Sequence, residues 1–267
     1  MKVAGRTSWL VTGLALGAGF SVAALAELAP GFAEALSSAE RPAEEKARDA
    51  SRKPEEVLSF VGIEAGMTVL ELFAGGGWYT EAISAAVGPE GTVYAQNPER
   101  FRERVAEAAA ARAARLGNVE VIYTVGTDMF APNDIGLPEQ ADAAFTALNL
   151  HDYANRGDET GLAFLRGIYD SVVPGGTLGV VDHVGVAGQD NAELHRMEAS
   201  KARKLLTAAG FVVEAESLIL TNPADDHSLG IRDPSIRYNT DRMLIRARRP
   251  ERELALHLLG PPGGLRQ

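Results

Sequence analysis

Apolar residues along this chain gather in short runs that end at glycine-bearing turns. Between those runs they recur every three or four positions, the alternation of strand and helix. Thr68-Val69-Leu70-Glu71-Leu72-Phe73 is a β-prone run that stops at Ala74-Gly75-Gly76-Gly77. Trp78 to Val87 then reads as a helix, Gly88 to Gly91 as a turn, and Thr92-Val93-Tyr94-Ala95 as a second strand. Ahead of this βαβ unit, Pro54 suits the first turn of a helix, where its missing N–H costs little, with Val57, Leu58 and Val61 on one face. Behind it the pattern predicts a helix over 99–116 and strands over 119–124 and 141–148. Leu162, Leu165, Ile168, Tyr169 and Val172 then mark a helix face, and a fifth strand covers 177–181. A helix over 192–209 and strands over 211–220 and 242–247 follow, the last two separated by a polar loop over 221–241. The alternation predicts an α/β domain with a mostly parallel sheet and helices on both faces. A loop as long as 221–241 is a candidate lid.

The 267 residues are 46% apolar, enough for one sizeable core. Acidic residues outnumber basic ones by 36 to 26, giving a formal charge of -10, which argues against a nucleic-acid partner. The absence of cysteine excludes disulfides, thiolate metal sites and a cysteine nucleophile. Lys2 and Arg6 precede an apolar stretch from Trp9 to Phe20, and Ala24-Leu25-Ala26 supplies the small-x-small pattern of an export signal. Residues 1–26 therefore read as a signal peptide and the protein as periplasmic or secreted; an uncleaved leader makes the same stretch a membrane anchor. Residues 27–53, rich in Ala, Glu and Arg, read as a helical or disordered connector, 54–250 as the domain and 251–267 as a tail.

In an open parallel sheet, ligands bind beyond the carboxyl ends of the strands, and the first glycine turn lies there. Gly75 and Gly77 let backbone N–H groups approach a ligand at the start of the following helix. Glu71 ends the first strand, and Asn97 follows the second, where a ribose-binding residue is expected. The runs Val69 to Gly77, Val87-Gly88-Pro89-Glu90-Gly91, Thr92 to Ala95 and Val173-Pro174-Gly175-Gly176-Thr177-Leu178 resemble the motifs of class I S-adenosylmethionine-dependent methyltransferases. Asn149-Leu150-His151-Asp152, Val181-Asp182-His183, Asn222 to His227 and Thr240-Asp241-Arg242 are similar to a family of exported bacterial methyltransferases. That resemblance spans about residues 50 to 250. It implies a Rossmann-like seven-stranded sheet with an antiparallel last strand, and S-adenosylmethionine as cofactor. It also implies cofactor contacts at Glu71, Phe73, Ala74, Gly75, Gly77, Asn97, Asp128 and Asn149, with Glu71 near the methionine end and Asp128 near the adenine. Two departures stand out: Phe73 occupies the first glycine position of the motif, and Asn97 replaces the usual ribose-binding acid, losing a charge-assisted bond.

Methyl transfer from a sulfonium needs a positioned nucleophile and little else, because the cofactor carries the activated group. A small-molecule oxygen or nitrogen acceptor needs a base; His151 or Asp152 past the fourth strand, and His183 past the fifth, are the catalytic candidates. His151, Asp152, Asp182, His183 and His227 also offer ligand types for a divalent ion, but with no compact spacing, so no metal is assigned. His195 and His257 read as solvated or packing residues, and the alternating arginines and glutamates of 99–115 as a salt-linked exposed helix face. Two other functions remain open: an extracytoplasmic binding protein without turnover, and a dinucleotide oxidoreductase, for which the last glycine of the fingerprint is missing.

Overall fold

The computed structural model describes residues 27–124 and 135–251. The leader over 1–26, Asp128, His257 and nearly all of the tail lie outside the described residues. Seven strands form one sheet in the order β3-β2-β1-β4-β5-β7-β6. They are β1 (Thr68–Leu72), β2 (Thr92–Pro98), β3 (Val119–Thr124), β4 (Ala141–Ala147), β5 (Val172–His183), β6 (Val212–Ser217) and β7 (Arg242–Arg248). All neighbouring pairs are parallel except those made by β7, which runs antiparallel to both β5 and β6. The expected architecture, mostly parallel with an antiparallel last strand, is the one observed. Strand order reverses between β1 and β4, so the crevice beyond their carboxyl ends is the topological switch point where α/β sheets bind ligands.

The two-residue period of the strands sends alternate side chains to two separate cores. Val69, Val93, Phe145, Val181 and Leu244 pack beneath α4 (Pro54–Val61) and α5 (Trp78–Val87). Leu70, Ala144, Leu178, Val180 and Ile245 pack beneath α7 (Leu150–Ala154), α8 (Asp158–Ser171) and α9 (Ala199–Ala209). Each fully buried Val, Leu or Ile contributes roughly 1.5–3 kcal/mol, so both faces hold the sheet rigid. The same period places Glu71 on the face of Val69, opposite Phe145 of β4 and under α5, a buried carboxylate by register alone.

Four local expectations are corrected. Residues 27–53 are not a mere connector: Phe32 and Leu36 of α1 (Phe32–Ser37) are buried in the α5 core, and α2 (Ala43–Lys46) and α3 (Asp49–Arg52) cap the first glycine turn. The helix expected over 192–209 begins only at Ala199, because a bridge between Val184 and Met197 draws the preceding turn to the sheet edge. β2 and β5 run further than expected, so Asn97, Asp182 and His183 lie within strand ends rather than past them. Finally, α6 (Arg102–Leu116) is not salt-linked only at its surface: Arg112 and Arg115 both reach inward to the buried carboxylate of Glu81.

Candidate active site

The glycine turn that follows β1 is held open by the end of β2. The N–H groups of Phe73 and Ala74 donate to Gln96 Oε1 (3.1 Å) and Gln96 O (3.0 Å), and Gly75 N–H donates to Asn97 Oδ1 (2.8 Å). Asn97 thus fixes the turn directly, while its Nδ2 is buried with no partner among the described residues. Phe73 keeps the left-handed backbone of the glycine it replaces, at φ 55°. Its ring lies edge-on to Tyr153, Phe164 and Phe101 on the far side of the sheet. Trp78 is likewise clamped, its Nε1 donating to the Glu45 carbonyl at 2.9 Å. A hollow of about 210 Å³ therefore remains beside the turn, bordered by Glu71, Phe73, Ala74, Gly77, Tyr79 and Arg52.

Glu71 is strongly perturbed there. Burial pushes its carboxyl up to about 7, against the opposing pull of a hydrogen bond from Thr80 Oγ1 at 2.5 Å and the charges of Arg112 and Arg52. Tyr79, also buried, has a hydroxyl with no partner among the described residues.

A second hollow of about 270 Å³ adjoins the first, sharing Arg52 and Leu148 as a common wall. His151, Asp152 and His183 all border it, as does His195. Behind them Asp182, fully buried, accepts hydrogen bonds from the backbone N–H of His151 (2.8 Å) and of His183 (2.7 Å), and lies 2.7 Å from His151 Nδ1. That contact places the Nδ1 proton against Asp182 and leaves Nε2 as the basic atom. Burial disfavours a charged His151, but the Asp182 carboxylate outweighs it and holds the imidazole above the ordinary histidine range. Asp182 is correspondingly held low by His151 despite its burial. His183 differs: burial pushes it down to about 3, and its Nδ1 is engaged by Thr240 Oγ1 at 2.7 Å. It stays neutral, so of the two histidines only His151 is held ready to take up a proton.

Sequence reasoning placed these candidates in two groups, and the fold brings both to the switch point. Gly75, Asn97 and Asn149 brace the first hollow rather than border it; Asn149 Nδ2 donates to the Ala147 carbonyl at 2.6 Å. His227 does not join the histidine group, being bonded to Asp241 Oδ2 at 2.9 Å. His195 was missed as a site residue: its Nδ1 lies 3.2 Å from Asp152 Oδ1, which is 3.4 Å from His151 Nε2. Ligand atoms of these three lie within 4.8 Å of one another. Arg52, Arg232, Arg237 and Arg242 were also missed as site residues: Arg52 comes from the distant amino-terminal helices, and the other three from the 221–241 loop and its exit, where only Arg242 falls in a recognised motif.

Sheet order, antiparallel β7 and the glycine turn at the switch point together define the class I methyltransferase fold. Solved structures with this fold include a SAM dependent methyltransferase from Aquifex aeolicus, 25% identical, with a TM-score of 0.54 over 78% of this chain and 98% of that one. The S-adenosylmethionine-dependent methyltransferase SibL, in its apo form, is 19% identical, with a TM-score of 0.51 over 85% of this chain and 63% of its own. The [4+2]-cyclase SpnF is similar at 18% identity and a TM-score of 0.53, over 76% and 81% of the two chains. No family model and no curated protein matches the sequence. A cyclase among these neighbours makes the site, rather than the fold, the basis for any activity.

Proposed function

We propose that this chain is an S-adenosylmethionine-dependent methyltransferase acting on a small-molecule acceptor. The observation that carries the reading is the pair of adjoining hollows, one at the glycine turn and one at an Asp182-oriented histidine, parted only by Arg52 and Leu148. The residues present fit the cofactor. Asn97 Nδ2 and Tyr79 Oη are buried polar atoms without partners among the described residues, and a Cβ at Gly75 would meet only the Phe73 carbonyl, at 3.8 Å. Glu71 would hold the ammonium of the methionine end, and the turn from Ala74 to Gly77, fixed from behind by Asn97, would face the ribose. When bound, S-adenosylmethionine supplies a methyl group already activated on sulfur.

The chain's own work is proton handling and exclusion of water. His151 Nε2 takes the proton of an acceptor hydroxyl or amine, while Asp182 stabilises the imidazolium that results. Asp152 and His195 carry on from His151 toward the surface, a path by which that proton leaves. Because His151 sits above the ordinary histidine range, it is free to act as base only as pH rises above that range. Calorimetric titration of the full chain with S-adenosylmethionine tests the reading. One-to-one binding is expected in the wild type and none in Gly75→Trp; absence of binding in both favours a protein that keeps the fold without turnover.

The finer likeness, to exported bacterial methyltransferases, supports placing the protein outside the cytoplasm or at the membrane through residues 1–26. Cell fractionation with mass measurement of the amino terminus checks it, and a cytoplasmic protein that retains Met1 to Ala26 would sink it.

A further inference from the structure

Arginines in this protein divide into two groups. Among the described residues four arginines are buried, and three of them meet carboxylates: Arg41 pairs with Asp49, Arg112 with Glu45 and Glu81, and Arg196 with Asp225. The fourth, Arg242, is only 6% exposed and forms no ion pair among the described residues. Its Nη2 donates to the Ser51 carbonyl, and its Nε has no partner among the described residues. The neighbouring Asp241 is already committed, to Asn222 N–H at 2.9 Å and His227 Nε2 at 2.9 Å. Arg52, half-buried, stacks over Trp78 at 4.6 Å; its charge reaches Glu71 across the first hollow, but it forms no ion pair among the described residues. Arg232 and Arg237 add two more guanidiniums from the 221–241 loop, neither paired with a carboxylate among the described residues. Against these four stands a single acid on the same hollow, Asp152, which faces His151 and His195.

A buried guanidinium without a counter-charge is costly, and a chain that pairs its other buried arginines so completely leaves Arg242 for something else. In a protein of net charge -10 a concave cationic patch also draws anions by focusing the field. We propose that the second hollow is an oxyanion site, and that the methyl acceptor carries a carboxylate or phosphate held by Arg242, Arg232 and Arg237 while its nucleophile faces His151. This rests on the methyltransferase reading only for the identity of the acceptor hollow. Arg242, Arg232 and Arg237 border that hollow and not the one at the glycine turn, so they are not spoken for by the cofactor's own carboxylate.

The test uses the full chain and three probes: 4-hydroxybenzoate, its neutral amide 4-hydroxybenzamide, and inorganic phosphate, each titrated calorimetrically with and without S-adenosylmethionine. At least one anion is expected to bind at least roughly tenfold more tightly than the amide, as bonds to a charged group require. Which anion binds tells a carboxylate site from a phosphate site. In the double variant R232Q/R237Q, whose changes lie on exposed side chains, the anion is expected to lose roughly tenfold in affinity while S-adenosylmethionine binds unchanged. Equal binding of benzoate and benzamide, undiminished anion binding in the double variant, or no binding of either anion overturns the proposal. Failure of S-adenosylmethionine to bind while the anion pattern holds would overturn the methyltransferase reading and leave the oxyanion site standing.

Discussion

Glu71 shows how a buried carboxyl ties stability to pH. Its carboxyl is raised from an ordinary 4.5 to about 7 by burial, so between those pH values the folded chain holds a proton that the unfolded chain releases. The stability this protonation gives is full below about 4.5 and is lost as pH rises through about 7. Glutamine keeps the acceptor for Thr80 and cannot ionise. Glu71→Gln is therefore expected to leave stability nearly unchanged at pH 5 and to raise it at pH 8, by on the order of 3 kcal/mol at most, read from urea unfolding at the two pH values. The same variant should bind S-adenosylmethionine more weakly at pH 8. A variant that lost stability at pH 8 would mark Glu71 as a structural carboxylate. Glu71 was legible in the sequence because strand period and the adjoining glycine turn locate it together. Arg52, Arg242 and His195 were not, since each gains its meaning only from segments that the fold brings alongside.

At the level of elements, the sequence pattern was sound wherever a single periodic segment decided the matter, as in β1, α5 and β4. It failed where a tertiary bond outranked propensity. Residues 192–198 have helical composition, yet the Val184–Met197 bridge and a buried arginine hold them as turns. That arginine, Arg196, also explains the loop over 221–241, expected as a lid. Its guanidinium is fully buried, grips both oxygens of Asp225 at 2.9 Å, and donates to the carbonyls of Val184 and Leu229. The loop is pinned at that point, so Arg232 and Arg237 are carried on a braced segment rather than a free one. Asp225→Ala strands a buried charge and is expected to destabilise the protein by about 3–5 kcal/mol, read from urea unfolding. Exchange of loop amides should rise with it, whereas a loss below about 1 kcal/mol would show the pair to be exposed in solution.

On the scale of the whole molecule, the amino-terminal helices, α5, α6 and the glycine turn meet at Arg112. Its guanidinium bonds both oxygens of Glu45 in α2, an oxygen of Glu81 in α5, and the carbonyl of Gly76 in the turn. Nothing in the composition of 27–53 announced this closure, because Glu45 is one glutamate among several until the fold sets it opposite Arg112. Gly77 is what leaves room for it: a Cβ there would sit 2.5 Å from Arg112 Nε and 2.7 Å from its Cδ, on a backbone at φ 83°. A single methyl group at Gly77 should therefore act far from itself. Gly77→Ala is expected to combine left-handed strain of about 1–2 kcal/mol with partial loss of a buried pair worth about 3–5 kcal/mol when broken. Amide protection over 43–53 should fall while that of β1 and β4 holds. Gly75→Ala is the matched control, since its Cβ would meet only the Phe73 carbonyl at 3.8 Å and only the strain remains. Equal losses of stability in the two variants, with 43–53 protected in both, would show that Arg112 does not couple the glycine turn to the cap; unequal losses show that it does.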